Sequence, residues 1–326
     1  MAAAMKQEEG GAMDGQPSLT WRSLGTPASE LRLEWTLPTG QSFRWRQTGS
    51  EPIEFTGMVG QRAVRLRQLA DDVQYLVIAR GAITQAASLP ASGAGSAAAT
   101  VEHPAAAEAA ADAAALRDYF NLGTSLAELA PGWCAACDRF AAVHPLLPGA
   151  RMLRQDPVEC LVQFVCSSNN HISRIGGMVE RLCRNYGTRL HLLPGAAAEG
   201  GVQEGEEPGG KGEAVAAGAG GKPAPPLELF AFPTLEQLAA ASEEALRADG
   251  YGYRAKFITG SVAALLAKPQ GGDAWLRGLR DVPFEEAAEA LTTLPGIGPK
   301  VAACICLFSL DKHEAIPGKQ AGSARP

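Results

Sequence analysis

The chain has 326 residues, 46% hydrophobic and 20% charged, with a formal net charge of −6. That length accommodates two compact units with a sizeable core. No apolar run approaches the roughly 18 residues of a membrane-spanning helix, which excludes a helical membrane protein. Met1–Gln16 carries Glu8, Glu9 and Asp14, no arginine and no apolar core, so neither a transit peptide nor a secretion signal is expected. Seven scattered cysteines, an odd count, predict reduced thiols in a reducing compartment.

The acidic balance is unevenly distributed. Residues 1–16, 84–115 and 195–226 carry net charges of −2, −3 and −3, which leaves +2 on the rest of the chain. The remainder is therefore mildly basic and compatible with a polyanionic partner.

In chain order, residues 1–28 are expected to form a disordered tail. Over 29–83 the pattern is β: Leu31, Leu33, Trp35 and Leu37 alternate with Arg32, Glu34 and Thr36, the period of a half-buried strand. Ala63–Leu69 and Val73–Ile78 flank Asp71-Asp72 and predict a hairpin. Residues 84–115 are rich in Ala and Gly and poor in large apolar side chains. They are read as a low-complexity insert, with at most a transient helix over Ala105–Ala115. From Leu116 onward the pattern turns helical. Asp156-Pro157 opens a helix through Cys166, with proline where no amide donor is lost. Ile172, Ile175, Val179, Leu182 and Cys183 form one helical stripe. A second insert covers 195–226, and Thr234 with Gln237 marks a capping-box start. These elements predict an α+β chain, with an N-terminal antiparallel β-sheet domain at 29–150 and an all-helical domain at 151–317.

The most informative stretch is Phe284–Leu310. Phe284, Ala287, Ala288 and Leu291 share one helix face, and Val301, Cys304, Ile305 and Phe308 share a second. Between them runs Leu294-Pro295-Gly296-Ile297-Gly298-Pro299-Lys300. Two glycines one residue apart allow a tight turn whose bare amides, at a helix start, suit a DNA phosphate. This is a helix-hairpin-helix, which grips backbone without reading sequence. Lys300, in the first helical turn, reads either as one more phosphate contact or as an amine whose pKa the helix end and partial burial would lower for nucleophilic attack. Cys134 and Cys137 have CxxC spacing without a second pair or a histidine at ligand spacing, so no metal site is expected. His103, His144, His171, His191 and His313 are isolated.

Four further segments carry a resemblance: LPTGQSFRW at 37–45, LRQDPVEC at 153–160, CSSNN at 166–170 continuing to MVERLC at 178–183, and GYGYRA at 250–255. Together with Leu294–Asp311, and in this order, they resemble the eukaryotic 8-oxoguanine DNA glycosylase/AP lyase family of the helix-hairpin-helix glycosylase superfamily. The resemblance implies base excision repair, in which a damaged guanine opposite cytosine is flipped out and excised. It implies that Lys300 attacks the sugar C1′, forms a Schiff base and permits β-elimination. Gly40 would accept a hydrogen bond from the oxidised base, and Cys304 would pack against it. Asn169 would enter the vacated space, Arg174 and Arg254 would read the orphaned cytosine, and Tyr253 would wedge its neighbour. Gly296 and Gly298 would hold a phosphate. The residues taken alone leave blander readings open: Gly40 as a strand-ending turn, Asn169-Asn170 as a helix cap, Cys304 as a small core residue. The implied partner is double-stranded DNA containing 8-oxoguanine opposite cytosine. No cofactor, no metal and no membrane partner are expected, and the protein is expected to be a nuclear monomer, with an organelle as the alternative.

The resemblance stops after Pro317, and 318–326 diverge. The family places a valine and then a catalytic aspartate next, whereas position 319 is a lysine, whose sign opposes stabilisation of a cationic sugar. A C-terminally truncated relative is therefore expected, with a catalytically impaired lesion- or abasic-site-binding module as the alternative.

Overall fold

The computed structural model describes residues 19–81, 104–196 and 228–315. The outer part of the expected tail, most of both inserts, His103 and Lys319 lie outside the described residues. The elements are β1 (Arg22–Ser23), α1 (Leu33–Thr36), β2 (Arg46–Ser50), β3 (Ile53–Val59), β4 (Arg62–Gln68), β5 (Val73–Arg80), α2 (Pro104–Tyr119), α3 (Leu126–Ala136) and α4 (Asp138–Val143). They continue with α5 (Pro157–Ser167), α6 (Ile172–Tyr186), β6 (His191–Leu192), α7 (Leu235–Ala239), α8 (Glu243–Ala248), α9 (Arg254–Leu266), α10 (Gly272–Gly278), α11 (Phe284–Thr292) and α12 (Pro299–Ser309). Among the described residues no helix is long and apolar enough to cross a membrane.

The architecture is α+β. An antiparallel sheet in the order β1-β5-β4-β3-β2, interrupted by the short α1, precedes the remaining helices. The hairpin at Asp71-Asp72 forms as the alternation dictates, with Leu66 opposite Tyr75. Val73, Tyr75 and Val77 face one core, with Phe55, Leu66 and Leu116, while Leu76 and Ile78 face another, with Met58 and Leu190. The outer edge of β5 is covered twice, by β1 against Tyr75 and Gln74 and by β6 against Ala79 and Arg80, which removes an exposed ladder.

Four expectations need correction. Residues 19–28 are not all tail: β1 joins the sheet and Leu24 is buried in its core. The alternating stretch at 31–37 is a helical turn, α1, followed by a 3-10 turn over Leu37–Thr39. Leu33 and Leu37 also stand one helical turn apart and are both buried, so the same spacing satisfied a helix. The insert at 84–115 ends earlier than expected, because α2 begins at Pro104. Its anchor is electrostatic. Arg62 and Arg80 stand opposite each other on β4 and β5, a repulsive cross-strand pair. Asp112, nearly fully buried, accepts from Arg62 Nε at 2.7 Å and Arg80 Nη1 at 2.5 Å. Finally, the second half is not purely helical, since β6 returns to the sheet and Arg189 bridges Phe230.

The helices form one large core, including α5, α6, α9, α11 and α12. Asp156 caps α5, its carboxylate accepting from the Val158 and Glu159 amides, and Thr234 and Gln237 form the expected capping box on α7. Nearly every residue of α5 is buried, so this helix is the centre of the helical part. On α6 the expected stripe holds for Ile175, Val179, Leu182 and Cys183, but Ile172 is exposed at the helix start. All seven cysteines are free.

Candidate active site

Gly296 takes a left-handed φ of +80°, and a Cβ there would lie 2.4 Å from Phe257 on α9. Only glycine fits both constraints. The turn is held by Ser261 Oγ, which donates to the Pro295 carbonyl at 2.7 Å, and by close packing of Pro295 over Gly260. Gly298 has an ordinary φ of −90°, and nothing would stand within 4 Å of a Cβ. Its role is exposure: it opens α12 with no side chain capping the first turn. Lys300 and Val301 occupy that turn, where amide donors face outward without intrahelical partners.

Lys300 is exposed, which corrects the expected partial burial. Its Nζ lies over the Phe164 ring, 5.5 Å from the centroid. The same amine meets the buried Cys304 one turn on: burial pushes that thiol's pKa up, and contact with Lys300 opposes the rise. Beside Lys300 opens a cleft of about 340 Å³ lined by Ser167, Ser168, Asn169, Asn170, His171 and Val301.

The far wall of the cleft is an irregular loop between α5 and α6. Asn169 adopts φ +47°, a conformation asparagine tolerates better than most residues. Its backbone is braced from behind. Tyr253 Oη donates to the Ser168 carbonyl at 2.9 Å, and Arg254 donates to the carbonyls of Ser168 and Asn169 at 2.5 and 3.0 Å. Asn170 Nδ2 donates to the Cys166 carbonyl and its Oδ1 accepts from the His171 amide, so Asn170 shapes the entry to α6. Arg254 is buried, with its guanidinium 4.6 Å from the Tyr253 ring centroid, whereas Arg174 is exposed on α6.

Gly40 is left-handed, with φ +80°, and follows the 3-10 turn. A Cβ there would meet only Ile172 Cδ1, at 3.9 Å, so Gly40 stands beside the loop that walls the cleft without lining it. The structure thus brings Lys300 and Asn169 to one cleft. Cys304 stands behind Lys300, Tyr253 and Arg254 behind Asn169, Gly296 and Gly298 lie at the hairpin, and Gly40 and Arg174 lie outside the lining. Asp311, an acidic neighbour in sequence, is at the other end of α12, about 16 Å along the axis at 1.5 Å per residue. There it pairs with Arg154 at 2.9 Å.

Several participants escaped the sequence reading: Phe164 under the amine, Phe257 and Ser261 behind the hairpin, and Gln163. The last had a signal, a lone amide in the otherwise apolar run Leu161–Cys166, which a buried helix does not accept without partners.

Residues 23–161 match the family model for the 8-oxoguanine DNA glycosylase N-terminal domain. Over 298 residues the chain is 41% identical to N-glycosylase/DNA lyase OGG1 of Arabidopsis thaliana, covering 91% of this chain. The chain belongs to the eukaryotic 8-oxoguanine DNA glycosylase family. Its N-glycosylase/DNA lyase relative in Saccharomyces cerevisiae is 33% identical over 210 residues, 62% of this chain. The chain spans 66% and 47% of the lengths of these two proteins. The glycosylase fold is also that of Clostridium acetobutylicum 8-oxoguanine glycosylase/lyase in complex with double-stranded DNA containing cytosine opposite 8-oxoG. That likeness has a TM-score of 0.61 at 21% identity, over 89% of this chain and 77% of the other.

Proposed function

We propose that this protein is a base excision repair glycosylase that removes 8-oxoguanine opposite cytosine from duplex DNA and carries an associated AP lyase activity. The observation that carries the reading is Lys300 at the mouth of a cleft, in the first turn of a helix whose preceding hairpin offers bare amides. The hairpin around Gly296 and Gly298 binds a phosphate through those amides. Phosphate contact sets the register, and the target nucleotide rotates out of the stack. The Lys300 amine, once neutral, attacks C1′. The C1′–base bond breaks with its electron pair going to the base. The amine nitrogen then gives up a proton, its lone pair forms C1′=N as the C1′–O4′ bond breaks, and O4′ takes up a proton, leaving a protonated Schiff base on the opened sugar. Abstraction of a C2′ proton then expels the 3′ phosphate and nicks the strand.

The other assignments follow the same reading. Gly40 accepts from the oxidised base, whose extra N–H distinguishes it from guanine. Cys304 packs near that base, Asn169 enters the gap, Arg174 and Arg254 read the orphaned cytosine, and Tyr253 wedges the stack. Arg254 holds two loop carbonyls here, so reading cytosine requires it to exchange those partners. The β-rich and helical parts act as two lobes of one monomeric enzyme, and the nucleus is its place of work. No metal or cofactor enters the scheme.

The test is borohydride trapping on a duplex with 8-oxoguanine opposite cytosine and on an abasic duplex, with Lys300→Gln alongside. A covalent adduct that vanishes in the variant supports the assignment. Absence of an adduct on both duplexes, from folded protein, reduces the chain to a DNA-binding module.

A further inference from the structure

The backbone that carries Gly40 is held in an unusual way. None of residues 41–44 makes a backbone–backbone hydrogen bond among the described residues. Three buried glutamine side chains take that role, Gln41, Gln155 and Gln163. Gln155 Nε2 donates to the Gln41 carbonyl at 2.6 Å. Gln41 Nε2 donates to the Arg151 carbonyl at 2.9 Å, and its Oε1 accepts from the Leu153 amide at 2.9 Å. Gln163 Oε1 accepts from the Phe43 amide at 3.0 Å, while its Nε2 donates to Glu159 Oε1 at 2.8 Å, one helical turn back. Because the Phe43 amide needs an acceptor, the Gln163 amide has one workable orientation, and Glu159 fixes it by accepting on the other side.

The same residues hold the Lys300 helix. The Gln155 amide donates to the Phe308 carbonyl at 2.9 Å, and its carbonyl accepts from Ser309 Oγ at 2.9 Å, both at the end of α12. Phe164, next to Gln163, stacks on Phe308 at 5.5 Å, packs edge-on against Phe43 at 5.8 Å and lies under Lys300. Burying amides here is costly unless they fix something that apolar side chains cannot.

We propose that Gln155 and Gln163, the latter oriented by Glu159, are positioning residues that set the Gly40–Phe43 backbone against α12 and thereby set the discrimination between oxidised and unmodified guanine. This rests on the glycosylase reading above. They touch no substrate; they act through the backbone they hold. Gln163→Leu strands the half-buried Phe43 amide and frees the segment to shift, with little change at Lys300.

The test measures, in the Lys300→Gln protein, the ratio of Kd for an unmodified duplex to Kd for one with 8-oxoguanine opposite cytosine. Gln163→Leu is expected to lower that ratio about tenfold, the scale set by one orphaned, half-buried donor. Affinity for an abasic duplex should stay within about twofold, because no base is read there. A folded Gln163→Leu protein with an unchanged ratio overturns the proposal. Should that variant fail to fold, a swap decides. Gln163→Glu alone opposes two carboxyl groups and loses discrimination, whereas Glu159→Gln with Gln163→Glu restores an acceptor for Phe43 and a donor across the turn. Restoration supports the relay, and no restoration in folded protein overturns it. If the Lys300→Gln protein itself fails to prefer the lesion and the unaltered chain forms no adduct in the trapping test, the glycosylase reading falls first and takes this inference with it.

Discussion

Two glycines flank the site, and they are glycine for different reasons. Gly296 is required twice, by a left-handed backbone and by Phe257 standing where a Cβ would go. Gly40 is required once, by its backbone alone, since its surroundings would admit a methyl group. The hairpin is therefore held by local sterics, with backbone turn, glycine and α9 fitted together. The Gly40 segment is held at a distance, by side chains from α5 and from the irregular run before it. One region carries its own geometry, and the other borrows it.

The largest expected effect follows from the first case. Gly296→Ala must strain the backbone and displace Phe257, for a loss on the order of 3 kcal/mol or more in denaturant unfolding. A loss below about 1 kcal/mol would show that the hairpin shifts freely and that the contrast with Gly40 is false. Next comes Glu159, the buried end of the borrowed support. Burial raises its pKa to about 7 from 4.5, with the Arg44 charge opposing the rise. The native state thus holds this proton longer than the unfolded chain, so the group's contribution to stability is fully present at acid pH and is lost as pH climbs from about 4.5 through 7. Glu159→Gln keeps an acceptor without the charge. Its Tm should match the parent near pH 5 and exceed it at pH 8, by the equivalent of roughly 2 kcal/mol. An equal Tm difference at both pH values would mean the carboxyl group does not titrate there.

Gly40→Ala tests the second glycine, with an expected cost of about 1 kcal/mol from φ alone. A cost equal to that of Gly296→Ala would erase the distinction. Gly298→Ala should be the mildest, within about 0.5 kcal/mol, because its φ is ordinary and its surroundings are open. The same methyl group would stand at the exposed amides, so DNA affinity should fall while thermal stability does not. Parallel changes in both would remove the phosphate role from that position.

This contrast also explains what the sequence disclosed. The hairpin was readable because Leu294–Lys300 encodes its own turn and the flanking helices show their period. The Asp71-Asp72 hairpin and the α5 cap were readable for the same local reason. The segment at 31–37 was misread because Leu33 and Leu37 satisfy two periods at once, and only the Gly149 carbonyl and the Gln68 side chain, which take the Arg32 and Leu33 amides, separate them. Helix α2 was missed because its composition offers little apolar surface, and its anchor, Asp112 between two arginines, depends on a register that no local window contains. The glutamine supports were invisible as a set, being spread over residues 41, 155 and 163, although Gln41 and Gln155 sit in segments that also carry the family resemblance.

The Asp112 clamp has a practical corollary. It returns the chain to the same two strands from which it departed at Arg80, so the ends of the stretch between them are tied together independently of its contents. Lengthening a flexible connection between two fixed ends costs only about 0.6 kcal/mol per doubling. A fluorescent reporter or an affinity handle inserted in the sequence between Arg80 and Asp112 is therefore expected to leave this clamp, and the helical core beyond it, in place.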